Sequence, residues 1–226
     1  MTDMIVDSAP ASGRVARKRA EVRRKLLLAG FDLVGQHGLD AFAVADLTEA
    51  ADCSKGAFYS HFANRDEFIA ELIAHGVETV GVALDRHGAG LPGDEALAVG
   101  LRYSLTLAQQ QPRWGRFVAA VAGSARPTYT GLGERLASDI ARAHAEGRLD
   151  YRDAQAVLLL ASGTFLAAVI GSGLDMLRPG TPNEATRHLL IGIGVQADRA
   201  LALTTASLPI LIFDSVLVSS LDVSIR

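Results

Sequence analysis

Apolar residues recur at helical spacing from about residue 14 onward. Val22, Leu26, Ala29 and Leu33 fall on one stripe, which Leu27, Phe31 and Val34 broaden, so the pattern predicts a helix over Arg14 to Gln36. Gly38 stops it, as a glycine just past a helix end does. Val44 to Ala51 is long enough for two helical turns. Asp52-Cys53-Ser54 is a short break, and Lys55 to Phe62 reads as helix again. Asn64 is a suitable N-cap for a further helix to about Asp85, with Asp66 and Glu67 favourably placed against the dipole of its first turn.

Beyond a Gly-rich link at His87 to Gly93, Asp94 caps a helix predicted to reach Gln111. Pro112 opens the next, at a position that tolerates proline. A break spans Gly123 to Gly133, and Glu134 to Glu146 is helical until Gly147. Two long segments follow, Tyr151 to Leu177 and Asn183 to Leu203, separated by Arg-Pro-Gly-Thr-Pro. No alternating strand pattern occurs before residue 205. The segment from Leu208 to Arg226 is rich in β-branched residues and fits a short helix, an extended strand-like run or a loose end. The fold class expected is all-α. Residues 1–13 form a tail, 14–65 a small three-helix unit, 66–204 a larger helical bundle, and 205–226 an extension.

The composition agrees with a folded chain. Of 226 residues, 49% are hydrophobic and 21% charged, enough to bury a core and unlike a disordered protein. The net charge of −3 means that nucleic-acid binding needs a local basic patch. Residues 14–25 supply one: Arg14, Arg17, Lys18, Arg19, Arg23, Arg24 and Lys25 against Glu21 alone. That patch fits a solvated helix face and a DNA-backbone contact equally well. Cys53 is the single cysteine, so no intrachain disulfide forms, in keeping with a reducing compartment and a cytoplasmic location. Ala156 to Leu174 carries no charge and approaches the length of a bilayer crossing. It is isolated and holds Ser162, Gly163, Thr164, Gly171, Ser172 and Gly173, and a bundle centre calls for the same pattern, so no membrane partner is expected.

The chemistry concentrates in Leu47 to Phe68, LTEAADCSKGAFYSHFANRDEF. Two short helices joined by a tight turn on a longer preceding helix make a helix-turn-helix. Ala50 and Ala51 let two helices cross closely. Asp52 falls where the turn needs a left-handed residue, which Asp tolerates better than most. Ser54 can cap the second helix, whose free backbone donors suit phosphate. Lys55, Tyr59 and His61 put polar groups around it, while Gly56 and Ala57 permit close approach to base edges.

These residues resemble the TetR (tetracycline-repressor-like) family. SKGAFYSHF followed by NRDEF is similar to that family's recognition helix and the start of its fourth helix. The detailed match covers about Arg24 to Phe68, and Glu146 to Gln155, EGRLDYRDAQ, resembles the entry to its dimerisation helices. The resemblance implies a homodimeric, ligand-responsive transcriptional repressor that binds double-stranded DNA at a palindromic operator. It implies DNA contacts at Lys55, Tyr59 and His61, a phosphate contact at Arg65, and a base-reading face at Ala57 and Ser60. Ala43 stands where a capping Thr or Ser is common, and Thr48 is expected to replace some of the lost phosphate contacts. The DNA-binding set is thus Thr48, Lys55, Gly56, Ala57, Tyr59, Ser60, His61 and Arg65.

The resemblance also implies an effector pocket, for which Arg102, Tyr103, Trp114, Phe117 and Phe165 are candidates, with Tyr129. As helix-packing residues they need no ligand. No catalytic residue, cofactor or metal site is expected: the glycine runs near residues 131 and 192 follow no strand, and the histidines lack metal-ligand spacing. A regulator that requires its ligand to bind DNA, and a helical carrier or enzyme, are the alternatives.

Overall fold

A computed structural model describes residues 9–124 and 131–213. Tyr129 and most of the C-terminal extension lie outside the described residues. Among the described residues there are helices and no strands, ordered as α1 (Ala9–His37), α2 (Val44–Ala50), α3 (Lys55–Tyr59), α4 (Arg65–Ile73), a π-helical turn (Ala74–Glu78), α5 (Thr79–Gly88), α6 (Gly93–Gln110), α7 (Pro112–Ala122), α8 (Gly131–Ala145), α9 (Ala154–Gly173), α10 (Thr181–Gly192) and α11 (Ala197–Thr205).

Local signals set most boundaries. Gly38 has φ +92° and ends α1, as its position demands. Asp52 adopts φ +49° in the turn between α2 and α3. Ser54 Oγ accepts from the Ala57 amide at 3.1 Å, and Asn64 Oδ1 from the Glu67 amide at 2.8 Å, so these two predicted caps form. Asp94 is not a cap: α6 already starts at Gly93 after Pro92, and the buried Asp94 carboxylate accepts from Arg199 Nε at 2.7 Å instead. At Ala43, which has no side-chain acceptor, Asp46 instead accepts from the Ala43 amide at 2.7 Å. Helix α1 is longer than expected: it already runs at Ala9, within the stretch read as tail, because alanines favour helix and Pro10 sits in the first turn.

The helix read as running from Asn64 to Asp85 is interrupted. At Ala74–Glu78 its turn widens to the π form, and the Gly76 carbonyl accepts the Trp114 indole N–H at 2.7 Å. The Phe117 ring fills the space where a Cβ on Gly76 would stand. Similarly, the segment read as one helix over Asn183 to Leu203 is two. Gly194, at φ +96°, turns the chain between α10 and α11 and brings its α-carbon against the Asp150 backbone. Helix α9 stops at Gly173 rather than reaching Leu177, with Asp175 at φ +55° beyond it.

Two apolar clusters hold the layers. The first joins α1–α5 to α7 and α9: Leu26, Leu27, Phe31 and Val34 of α1 are buried, and Phe31 stacks on Phe117 at 4.5 Å. Together with Leu26, the residues expected to broaden the α1 stripe thus lie deepest, since α1 is covered by α7 as well as by the helix-turn-helix. Arg113 adds a two-pronged pair to Asp32 at 2.8–2.9 Å across that seam. The second cluster joins α6 and α8–α11 around Leu97, Leu101, Ile140, Leu190 and Ile193. After α11 the chain runs extended; Leu208, Leu211 and Phe213 lie against the first cluster, and Ile210 and Ile212 point outward.

Helix α9 is apolar on both sides. Val157, Ala161, Ala168 and Val169 face inward. Leu159, Leu160, Gly163, Ala167, Ile170 and Leu174 form an uncovered stripe on the opposite side. Ile191, Gly192, Leu201 and Ala202 add to it, since Gly192 lies beside Leu160. Gly171, four residues beyond Ala167, and Val195, four beyond Ile191, are instead buried within the chain.

Candidate DNA-binding face and regulatory cavity

Helix α3 separates its residues cleanly. Phe58 is fully buried against Phe62 and Phe68, while the adjacent Tyr59 is 58% exposed with its ring edge-on to Phe58. Lys55, Gly56 and Ser60 are exposed, Ala57 is half-buried, and the Ser60 hydroxyl donates to the Ala57 carbonyl at 2.7 Å. A small residue at 56 and another at 57 leave the helix free to sit close against a duplex, flanked by an ammonium and a phenol.

His61 lies half-buried just past α3. Burial, with Arg19 and Arg23 nearby, pushes its imidazole below the usual histidine value, so at neutral pH it is an uncharged hydrogen-bonding group. Arg19 reaches from α1 to donate to the Ser60 carbonyl at 3.1 Å, joining the basic helix to the α3 face. Arg23 pairs with Glu71 and lies over the Phe62 ring, so it serves packing, whereas Arg14, Arg17, Lys18 and Arg24 remain exposed.

Two expected contacts are placed otherwise. Thr48 is buried, its hydroxyl donating to the Ala45 carbonyl at 3.0 Å, because it lies on the inner side of α2 beside Leu47. Arg65 is spent inside the domain. Its Nε donates to the Phe42 carbonyl at 3.2 Å, Nη2 to the Leu39 carbonyl, and its guanidinium lies 4.9 Å from the centre of the Phe42 ring. It pins the start of α4 to the loop before α2, and so orients α3 rather than reaching outward.

The regulatory half contains a cavity of about 480 Å³ between α5, α6, α8 and α9. Leu84, Leu97, Leu101, Leu136, Phe165 and Leu166 give it apolar walls, and Arg135, Asp139 and Arg142 a charged end. Of the five sequence candidates, Phe165 alone borders it. Trp114 and Phe117 are fully buried around the π-helical turn. Tyr103 is buried beside Phe213, and burial pushes its phenol up to about 12. Large aromatics gain most by filling the core, and these do.

Arg102 is a clamp. Its guanidinium donates to the Leu203 carbonyl at 2.7 Å, the Ala206 carbonyl at 2.8 Å and Asn183 Oδ1 at 2.9 Å, tying the ends of α10 and α11 to α6. Arg102→Met should therefore lower stability by about 2 kcal/mol, since hydrogen bonds to a charged donor are lost and buried carbonyls left bare. Chemical denaturation measures this; an unchanged midpoint would leave Arg102 free for a ligand role.

Residues 26–72 match the family described as bacterial regulatory proteins, tetR family, and residues 93–205 match the tetracyclin repressor-like, C-terminal domain. The chain belongs to the TetR family. The second match ends at Thr205, where α11 ends, so the extended segment after it lies beyond the matched TetR region. Among its relatives, an uncharacterized HTH-type transcriptional regulator, YwcC of Bacillus subtilis, is 38% identical over 56 residues, a quarter of each chain. The HTH-type transcriptional repressor Rv3405c of Mycobacterium tuberculosis is 28% identical over 133 residues, 53% of this chain and 67% of its own. The crystal structure of RolR in complex with resorcinol superimposes with a TM-score of 0.61 at 26% identity, covering 87% of this chain and all of the other. A γ-butyrolactone receptor of ArpA-like type shares the fold, at TM-score 0.62 and 20% identity, over 84% of this chain and 95% of its own.

Proposed function

We propose that this TetR-family protein is a sequence-specific transcriptional repressor in the bacterial cytoplasm, acting as a homodimer and released from its operator by a small molecule. The observation that carries the reading is the outward face of α3, where Lys55, Tyr59 and Ser60 stand exposed on a helix whose other side is anchored by Phe58. Polar groups presented on the outer side of this short helix, which ends at Tyr59 rather than at Phe62, suit the major groove.

The uncovered stripe on α9 and its extension onto α10 and α11 supports the homodimer. A contiguous apolar patch of this kind marks a protein or membrane contact. Because the other side of α9 is packed against α6, α7 and α8, the helix is not free on all sides as a bilayer span is. A second copy of the chain matches the stripe by symmetry, with the small Gly163 and Ala167 at its centre allowing close approach. Two copies carry two α3 helices, which call for a palindromic operator. The cavity supports a small-molecule effector, and its volume lies within the usual range for such sites. RolR was solved with resorcinol, and Rv3405c is described as a repressor, in line with this reading.

Selecting bound duplexes from a random pool, then titrating the winner at several salt concentrations, tests the proposal. Lys55→Ala and Tyr59→Ala should both weaken binding, and Lys55→Ala should lower the salt slope by about one unit per half-site. Ala57 and Ser60 substitutions should change base preference more than overall affinity. Wild-type affinity and salt dependence in both Lys55→Ala and Tyr59→Ala would place the DNA contact away from α3.

A further inference from the structure

The phosphate contacts expected beside α3 are missing from α2 and α4. The Thr48 hydroxyl and the Arg65 guanidinium are spent within the domain. The Ala43 amide at the start of α2 donates to Asp46, and the outer side of α2 presents Ala45, Asp46 and Glu49. Asp52 stands exposed in the turn that follows. Carboxylates in these places repel a DNA backbone. Between Ala43 and Phe62, Lys55 is the one lysine or arginine. Sequence-independent affinity for a duplex comes from neutralising phosphates, and a single cation per half-site supplies little of it.

The unspent cations lie on α1. Arg14, Arg17, Lys18, Arg19 and Arg24 are exposed, and none pairs with a carboxylate among the described residues. Elsewhere Arg23, Arg113, Arg135, Arg142 and Arg199 are all paired with acids. Residues 13–20 are helical and exposed without exception, and even Val15 is 69% exposed. A solvated charged face belongs to a helix whose other side is packed. Here neither side is packed, and the stretch touches the rest of the domain through Arg19, which donates to the Ser60 carbonyl.

The direction of this free stretch is set by the rest of α1. The C-terminal half of α1 lies against α7, where Phe31 stacks on Phe117 and Arg113 pairs with Asp32. Toward the other end Arg23 lies over Phe62, and Arg19 meets the close of α3. The free turns therefore leave the domain beside α3, on the side away from α7. At 1.5 Å per residue, Arg14 stands about 7–8 Å beyond Arg19 along the axis, before its own side chain is added. The major groove is about 12 Å wide, so with α3 in the groove these side chains reach the phosphates at its edge.

We propose that the N-terminal turns of α1 are the phosphate anchor of this protein: Arg14, Arg17 and Lys18 bind the DNA backbone flanking each half-site, in place of contacts from α2 and α4. The assignment rests on the reading of α3 as the helix that enters the groove, and adds a second contact to it. Arg19, held on Ser60, is a positioning residue that fixes the anchor relative to α3.

The full-length protein and its selected operator supply the test, with R14Q/R17Q/K18Q as the main variant. Glutamine removes the charge and keeps helix propensity. The slope of log affinity against log salt should fall by about two to three units per half-site. Preference for the operator over a scrambled duplex should persist, because backbone contacts carry no base information. Hydroxyl-radical footprinting should lose the protection flanking the half-sites and keep that within them. R14K/R17K retains the charge and should retain the wild-type slope. R86Q/R152Q/R178Q removes three exposed arginines of the regulatory half and should leave the slope nearly unchanged, since salt screens distant charge. A wild-type slope in R14Q/R17Q/K18Q, an equal fall in both triple variants, or flanking protection that survives overturns the assignment. If that happens while Lys55→Ala still weakens binding, the α3 reading stands and this inference alone fails. A protein that selects no duplex loses both.

Discussion

Ala167→Arg yields a folded monomer that holds its operator about 10²- to 10⁴-fold more weakly than wild type, the advantage lost when two linked half-sites must be bound separately. Ala167 is exposed in the single chain, so an arginine there meets solvent and leaves the fold intact. Against a second copy it drives a charge into the centre of the stripe that includes Leu160, Gly163 and Ile170. Without a partner for that charge, burying it costs more than the surrounding apolar contacts return. Sedimentation gives the assembly state, circular dichroism the fold, and the same operator titration the affinity. A variant that remains a dimer places the interface elsewhere and removes the support that α9 gives to the proposal.

Gly194→Ala should be the most damaging glycine substitution in the regulatory half. Two penalties act at once. At φ +96° an L-residue is strained, and the new Cβ would fall 2.5 Å from the Asp150 oxygen and 2.6 Å from its nitrogen. Backbone cannot swing aside as a side chain does. Strain and overpacking together cost about 2–6 kcal/mol, or roughly 10 °C in Tm for a chain of this size. Gly180→Ala is the matched comparison, since Gly180 has φ +85° but nothing within 4 Å, so only the backbone penalty applies. Equal losses in the two variants would mean that the loop before α9 yields, and that the contact with Asp150 has no structural weight.

What the sequence disclosed was chiefly local. A glycine at 38, an aspartate at 52 and caps at 54 and 64 act on the backbone within a few residues, so their effects could be read in order along the chain. The exposed and buried sides of α3 followed from the same short pattern. The misplacements involve partners far apart in sequence. Arg65 looks available for phosphate until its acceptors, 23 and 26 residues earlier, are brought beside it. Thr48 looks surface-bound until α2 docks. The cavity is walled by four helices, and Arg135 at its charged end meets acids 50 and 57 residues away, which no spacing rule exposes. The large aromatics drew attention as ligand contacts because they are conspicuous, yet the core claims them first.

The π-helical turn at Ala74–Glu78 has a geometric consequence for how the two halves face one another. Such a turn holds one residue more than an α-helical turn, so everything on one side of it is offset by about 100° of helical phase relative to an unbroken helix. Leu84 and Asp85, which face the cavity, and Phe68 and Ile69, which anchor α3, are therefore in a rotational relation that an uninterrupted rod would not give them. Gly76, Trp114 and Phe117 maintain that offset, acting as an angular spacer between α3 and the wall of the cavity.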